Sequence, residues 1–203
     1  MRVEFLVEEL SAKAALEQLL PRLLPGCACR VRVFEGWQDL LGQLPTVLQG
    51  YRRRIFREGD ADLRVVVLLD GDGICERRKA ALEARAKVAG LVTKSTAEPE
   101  QVFHVLNRIA VQELEARWLG DRDAIMAAYE GVKPHHFKGI KERESDQPAK
   151  PSEVLWAVLK QGRHFLAGKQ KTRWATDISP HIEPARNCSS SFCHFCDGLV
   201  ALS

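Results

Sequence analysis

The stretch LRVVVLLDGDG (residues 63–73) decides the fold, because it joins the most apolar run of the chain to a pair of aspartates. A continuous run of aliphatic and β-branched residues, here Leu63–Leu69, is typical of a strand that is buried on both faces of a parallel sheet. Two glycines after it allow the chain to turn sharply. The stretch therefore predicts a central strand that ends in Asp70 and Asp72.

Two further apolar runs are also followed by acidic residues. Val3–Val7 precedes Glu8 and Glu9, and the alternating stretch Phe103–Val111 precedes Glu113. In an open parallel sheet, ligands bind beyond the carboxyl ends of the strands. Carboxylates that converge there repel one another unless a divalent cation lies among them. The pattern therefore predicts metal-dependent phosphate chemistry.

Helical patterns between these runs predict an α/β fold. The order β-α-β-α-β-α-β-α implies a mainly parallel, Rossmann-like sheet flanked by helices. We expect this core in residues 1–130, a flexible loop in the polar residues 131–150, and a C-terminal helical portion in residues 151–203, packed on the core. Pro45, inside the helical stretch Gln38–Tyr51, predicts two short helices or a kinked one.

The composition is that of a soluble globular protein. The 203 residues are 45% apolar and 28% charged, which suits one sizeable domain. No apolar run approaches the roughly 20 residues that span a bilayer, and the N-terminus lacks a signal-peptide core. We therefore expect a cytoplasmic protein without a membrane partner. Its six cysteines are expected to be free thiols, since their spacing matches a structural zinc site poorly.

Basic residues are concentrated in two places, residues 51–57 and the segment directly after Asp72. Such patches can follow the phosphate backbone of a nucleic acid, although each also fits a solvated helix face. The net charge of +3 is too small to decide between the two interpretations. The nucleic-acid-binding candidates are Arg52, Arg53, Arg54, Arg77, Arg78 and Lys79.

The acidic residues have distinct expected roles. Alternate residues of an extended chain point the same way, so Asp70 and Asp72 can offer two carboxylates to one Mg²⁺ (or Mn²⁺). Glu8 could bind the metal or act as general base on a water. Glu113 and Glu115 would point about 200° apart on a helix, so at most one is expected in the site, and Glu113 is nearer the strand. The catalytic candidates are Glu8, Asp70, Asp72 and Glu113, and the metal candidates are the first three.

A phosphatase is the alternative that the middle of the chain permits. Leu68–Gly73 resembles the nucleophile motif of haloacid-dehalogenase-like phosphatases, in which Asp70 would attack phosphorus and Asp72 would act as acid and base. Leu91–Thr93 and Gly120–Asp121 could then match the second and the metal-binding motifs. However, the nucleophile strand normally opens that domain, whereas two strands precede it here.

The same acidic motifs carry a second family resemblance. Phe5–Glu9, followed by a helix, resembles the glutamate motif that opens the TOPRIM domain, and the strand that ends in Asp70 and Asp72 resembles its DxD motif. More specifically, most of the chain outside residues 131–150 resembles the DUF4276 family of TOPRIM-like bacterial proteins. The segments that match best are Asn107–Ala110, Glu113–Ala116 and Asn187–Phe192.

This resemblance implies a TOPRIM-like fold with Glu8, Asp70 and Asp72 as Mg²⁺-site residues. Relatives in the wider TOPRIM group cleave or join nucleic-acid phosphodiesters, and some act beside an ATPase partner in anti-phage or mobile-element systems. The chain departs from the pattern at Glu9, where a glycine is usual, and at Gly73 and Ile74, where acidic residues often extend the DxD motif. We expect a Mg²⁺-dependent nuclease, with a non-catalytic partner subunit of an ATPase as the alternative.

Three consecutive serines lie inside the segment Asn187–Phe192. Their hydroxyl and N–H groups could cap the last helix or bind a phosphate. Capping is the favoured interpretation, because serine is common at the first position of a helix.

Overall fold

A computed structural model describes residues 1–202 of the chain. Its four strands are β1 (Arg2–Val7), β2 (Ala28–Val33), β3 (Leu63–Asp70) and β4 (Val105–Ala110). They form one sheet in the order β2-β1-β3-β4, and every neighbouring pair is parallel. The expected α/β class with a parallel, helix-flanked sheet is therefore confirmed, and β1 and β3 are its central strands.

Eight α-helices accompany the sheet in the described part of the chain. They are α1 (Leu10–Leu23), α2 (Trp37–Arg57), α3 (Cys75–Val88), α4 (Glu115–Leu119), α5 (Arg122–Ala128), α6 (Pro151–Gln161), α7 (Lys171–Ile178) and α8 (Ser190–Val200). Of the two forms expected around Pro45, two short helices are excluded, because α2 is a single helix that contains Pro45. Its buried leucines, such as Leu44 and Leu48, pack on the sheet and offset the hydrogen bond that Pro45 cannot make.

The two faces of the sheet bury two separate apolar clusters. Alternate strand residues point to opposite faces, so Phe5 and Val66 belong to one cluster and Leu6 and Val67 to the other. Side chains of α2 and α3 complete the second cluster. Side chains of α1 and of the helices after β4 complete the first, which includes Trp174 of α7. The sheet is thus the middle of three layers.

Residues 131–150 contain two short 3-10 helices, Pro134–Phe137 and Glu142–Glu144. Phe137 and Ser145 of this segment are buried. The division of the chain at residues 130 and 150 stays a prediction. All six cysteines are free thiols, as expected. None of the helices in residues 1–202 is long and apolar enough to cross a membrane.

Candidate functional site

The carboxyl ends of the two central strands bring Glu8 and Asp70 into contact. Val7 pairs with Leu68, so Glu8 leaves β1 beside the last residues of β3. The backbone N–H of Asp70 donates a hydrogen bond to Oε1 of Glu8, at 2.8 Å. Two of the predicted site residues therefore meet at the edge of the sheet where ligands of open α/β proteins bind.

Burial opposes the ionisation of both carboxyl groups of this pair. Burial raises the pKa of Glu8 above its ordinary value, although the hydrogen bond from Asp70 and the charge of Arg78 oppose the shift. Burial also raises the pKa of Asp70 well above its ordinary value, and the carboxylates of Glu8, Glu9 and Glu115 raise it further. A bound cation would stabilise the ionised form of two such neighbouring carboxyl groups.

Asp72 does not join this pair directly. Its backbone adopts the left-handed region, with φ of +43°, so the extended alternation that would align it with Asp70 has ended. Its Oδ2 accepts a hydrogen bond from Nη2 of Arg78, at 2.7 Å. Arg78 is buried, lies over the ring of Trp37 and also donates to the carbonyl oxygen of Asp70. Asp72 is thus held by the same arginine that fixes the turn after β3.

Lys171, the first residue of α7, lies among three further carboxylates. Its Nζ is 3.1 Å from Oε1 of Glu115 and 4.0 Å from Oε1 of both Glu9 and Glu113. We call these four residues the Lys171 cluster. Burial lowers the pKa of the Lys171 ammonium, but the three carboxylates outweigh it and raise the pKa above its ordinary value. The ammonium is therefore a resident cation beside the Glu8–Asp70 pair.

Glu113 and Glu115 both approach Lys171, although at most one of them was expected in the site. The helical spacing does not apply, because α4 begins at Glu115 and Glu113 precedes it. Glu113 accepts a hydrogen bond from the backbone N–H of Ser152 at the start of α6, at 2.8 Å. Glu115 is completely buried, and neither of its oxygens accepts a well-aligned hydrogen bond within residues 1–202.

Glu115→Gln is expected to flatten the dependence of stability on pH. Burial raises the pKa of Glu115 from an ordinary value of 4.5 to about 7, against the opposing charge of Lys171. The folded state thus holds this proton more tightly than the unfolded state, and stability falls as pH rises from 4.5 through 7. In the wild-type chain, ionisation of Glu115 should lower the free energy of unfolding by up to about 3 kcal/mol as pH rises, and the glutamine variant should lack this decrease. Urea unfolding between pH 5 and pH 8 measures the difference.

Glu83→Gln provides a control of opposite sign. Burial opposes ionisation of Glu83, but hydrogen bonds from Lys79, Thr93 and Asn107 outweigh it and lower its pKa. The ionised Glu83 therefore stabilises the folded state at neutral pH, and this stabilisation is lost as pH falls. Glu83→Gln should lower the free energy of unfolding more at pH 8 than at low pH. Equal pH profiles for the two variants would contradict the assignment of Glu115 as the buried, destabilised carboxylate.

The basic candidates Arg52, Arg53 and Arg54 lie near the amino ends of the strands, at the opposite end of the sheet from Glu8 and Asp70. Arg54 pairs with Glu4 on β1 at 3.2 Å and with Asp60, just before β3, at 2.9 Å. Arg53 pairs with Glu58, and the guanidinium of Arg52 lies over the ring of Phe56. They flank the amino ends of the strands, roughly 17 Å from the carboxyl edge at about 3.3 Å per residue.

The other three basic candidates lie at the start of α3, beside Asp72. Arg78 is buried in the turn already described. Lys79 donates to the carbonyl oxygen of Asn107 at 2.9 Å and pairs with Glu83 at 2.7 Å. Arg77 is exposed and forms no ion pair within the described residues. Of the six candidates, Arg77 is the one that offers a free cation next to the acidic edge.

Sequence patterns did not reveal two basic residues of this edge, Lys171 and Arg117. Arg117 is buried in α4, and its Nε and Nη2 donate no hydrogen bond within residues 1–202. Burial lowers the pKa of Arg117 to about 10, and the nearby Asp70 carboxylate opposes this shift. A lone arginine in a helix carries no sequence signal of its own, so only the folded arrangement places it beside Asp70.

The acidic residues differ in what they could offer to Mg²⁺ or Mn²⁺. Within residues 1–202, no group of three or more His, Cys, Asp or Glu side chains has the geometry of a metal site. Mg²⁺ nevertheless prefers oxygen donors, and it is commonly held by one or two carboxylates plus water and substrate phosphate. Glu8 and Asp70 could supply these one or two carboxylates. Asp72 would contribute only after it left Arg78.

The residues needed by the phosphatase alternative do not meet Asp70. Thr93 bridges to Val105 at the amino end of β4, and its hydroxyl donates to Glu83. Asp121 is buried, accepts from the N–H of Ala124 at the start of α5 and pairs with Arg186 at 2.7 Å. Both side chains have structural partners, and Thr93 lies at the wrong edge of the sheet for phosphate chemistry at Asp70.

Comparison with known proteins gives one match. No curated protein and no solved structure matches the chain significantly. A family model described as "Domain of unknown function (DUF4276)" matches residues 7–200. That span begins at the end of β1 and closes with α8, so it includes the Glu8–Asp70 pair, the Lys171 cluster and Arg117. The resemblance to the DUF4276 family inferred from the sequence is confirmed, and the chain belongs to that family.

Proposed function

We propose that this protein is a divalent-metal-dependent nuclease, which hydrolyses a phosphodiester of DNA or RNA at its acidic edge. The observation that carries the proposal is the contact between Glu8 and Asp70 at the carboxyl ends of the central strands. Burial raises the pKa of both carboxyl groups, so the pair favours a bound cation. The proposed ion is Mg²⁺ or Mn²⁺, with Glu8 and Asp70 as its ligands.

The residues at this edge would have distinct roles in phosphodiester hydrolysis. Glu8, with a raised pKa and an orientation fixed by the N–H of Asp70, can accept a proton from the attacking water. Arg78 holds the turn after β3, and the exposed Arg77 can contact the phosphate backbone. Lys171 keeps Glu115 and Glu113 neutralised beside the site. When bound, the metal would activate the water and offset charge on the phosphate.

The proposed partners are a nucleic acid as substrate and an ATPase as partner protein, in an anti-phage or mobile-element system. The ATPase rests on the resemblance to TOPRIM proteins alone. The nucleic acid rests also on Arg77, which supplies an uncompensated positive charge next to the acidic edge.

A specific observation favours a second candidate, a non-catalytic subunit that keeps the fold as a docking module. Two resident cations, Lys171 and Arg78, already form ion pairs with four of the carboxylates at the edge. A site that carries its own cations has less need of a metal. Catalysis by the isolated chain therefore decides between the two candidates.

Glu8→Gln is expected to reduce metal-dependent cleavage about 10²–10⁴-fold, because it removes the proposed general base. Linear DNA and RNA would be incubated with the full chain and Mg²⁺ or Mn²⁺, and EDTA should stop cleavage. Glu17→Gln is the matched control, since Glu17 is an exposed glutamate of α1 paired with Lys13. No cleavage by the wild-type chain, alone or with a co-purified ATPase, would contradict the nuclease and support the docking module.

A further inference from the structure

A single carboxylate, that of Asp146, accepts hydrogen bonds from four donors at the start of α8. The hydroxyls of Ser189, Ser190 and Ser191 donate to it at distances of 3.1, 3.0 and 2.8 Å. The backbone N–H of Ser191 also donates to it, at 3.1 Å. Hydroxyl and N–H donors that converge on an anion at a helix N-terminus are the usual elements of a phosphate site.

The serines are held in place by packing rather than by Asp146 alone. The N–H of Cys188 donates to the carbonyl oxygen of Gly120 at 2.8 Å, and Nδ2 of Asn187 donates to the carbonyl oxygen of Arg117 at 2.8 Å. A Cβ at Gly120 would lie only 2.6 Å from Oδ1 of Asn187 and from the N atom of Ser189. The turn is therefore docked tightly against α4 and is preformed for an anion.

A buried arginine with unused donors lies beside this turn. Arg117 is 3% exposed, and its Nε and Nη2 donate no hydrogen bond within residues 1–202. Its guanidinium carbon is 4.7 Å from the ring centroid of Phe195, which lies one helical turn after Ser191 on the same face of α8. The carboxylates of Asp70 and Asp146 both favour the charged form of Arg117, whose pKa burial lowers. The guanidinium of Arg117 thus lies against α8 one helical turn beyond the serine turn, with donors that are not in use.

We infer that the Ser189–Ser191 turn and Arg117 form a phosphate-binding site that Asp146 occupies as an internal competitor. The ligand is a phosphate group of the nucleic-acid backbone, an assignment that rests on the proposed function. Departure of Asp146 would release the three hydroxyls and the N–H of Ser191 for the phosphate, and would give Arg117 an anion with more acceptors. Asp146 is only partly buried, so a ligand can reach it from solvent. The segment that carries it, residues 131–150, would act as the displaceable strap.

Asp146→Asn tests the competitor, since it removes the charge and keeps the shape. Binding of a 5′-hydroxyl single-stranded DNA oligonucleotide, whose only phosphates are those of the backbone, and of inorganic phosphate would be measured with EDTA present, so that cleavage plays no part. The asparagine should bind both probes about tenfold more tightly, or better, because a charged hydrogen-bonding competitor is lost. Asp123→Asn makes the same change of net charge at a 62% exposed side chain and should leave binding unchanged.

Two double variants test whether Ser191 and Arg117 are responsible for the tighter binding of Asp146→Asn. Adding Ser191→Ala or Arg117→Met to Asp146→Asn should abolish the tighter binding, and thermal unfolding would verify that each variant is folded. Binding by Asp146→Asn no tighter than by Asp123→Asn would overturn the inference and leave Asp146 as a helix cap. Tighter binding of inorganic phosphate without the oligonucleotide would overturn the assignment to the nucleic-acid backbone. Because binding is measured without metal, a failed nuclease assay and a failed phosphate site are separate results.

Discussion

Asp70→Asn is expected to abolish metal-dependent cleavage and to raise the free energy of unfolding. The asparagine removes a proposed metal ligand, so the rate should fall at least about a hundredfold. It also removes a carboxyl group whose pKa is raised by burial and by the neighbouring carboxylates of Glu8, Glu9 and Glu115. Urea unfolding at pH 8 should therefore show a gain in the free energy of unfolding. Loss of activity with gain of stability is typical of a residue retained for function.

The gain in stability from Asp70→Asn is expected to depend on pH. The folded-state pKa of Asp70 lies above its ordinary value of 3.8, so ionisation costs stability increasingly as pH rises above that value. The gain from Asp70→Asn should accordingly be larger at pH 8 than at pH 5. Added Mg²⁺ or Mn²⁺ should stabilise the wild-type chain and leave the asparagine variant unchanged, which gives a readout independent of cleavage.

Asp121→Asn is the matched control, because Asp121 is a completely buried aspartate with satisfied partners. Its oxygens accept from Arg186 at 2.7 and 3.0 Å and from the N–H of Glu183 at 2.9 Å. This variant should lose about 2 kcal/mol, less than for a fully buried pair because Arg186 is partly exposed. If Asp70→Asn lost stability in the same way, Asp70 would be a structural carboxylate and the proposed site would be wrong.

The sheet was predictable from the sequence because its signal is local. A continuous apolar run such as Leu63–Leu69 needs two covered faces wherever it lies in the chain, and the acidic residue after it is carried to the sheet edge. The contact of Glu8 with Asp70 follows from two such runs as parallel neighbours. The identity of the central strands and the position of this pair are thus properties of short segments, which a pattern can reveal.

The rest of the site depends on contacts between distant segments, which no local pattern contains. Lys171 of α7 meets Glu115 of α4 and Glu9 beside α1, and nothing near Lys171 in the sequence indicates which carboxylates it will meet. Asp72 was expected beside Asp70 on the assumption of extended backbone, but its left-handed φ ends that alternation. The bond from Ser189 to Asp146 likewise joins two segments whose own sequences specify only a helix start and a polar stretch.

Lys171→Met is expected to destabilise the protein strongly at pH 8 and weakly at pH 5. Methionine retains the unbranched stem but removes the ammonium that lies 3.1 Å from the completely buried Glu115. Loss of one member of a buried ion pair leaves an uncompensated charge, at a cost of about 3 kcal/mol. Burial already raises the pKa of Glu115 to about 7, so at pH 5 the group is protonated and the cost disappears. Urea unfolding at the two pH values measures both effects.

Lys169→Met separates the buried pair from an ordinary surface contact. Lys169 lies two residues earlier and pairs with the exposed Glu153 at 2.6 Å, so its loss should change stability little at either pH. A loss for Lys171→Met that is equal at pH 5 and pH 8 would show that the packing of the stem, and not the charge of Glu115, accounts for it.

The response of Lys171→Met to metal also discriminates between the two candidate functions. In the nuclease, the ion is held by Glu8 and Asp70, so Mg²⁺ should stabilise the wild-type chain and Lys171→Met by similar amounts, and Glu8→Gln should remove both responses. In the docking module, Lys171 itself is the resident cation of the Lys171 cluster. Stabilisation by Mg²⁺ would then be confined to Lys171→Met, because only the loss of the ammonium leaves three carboxylates that need a replacement.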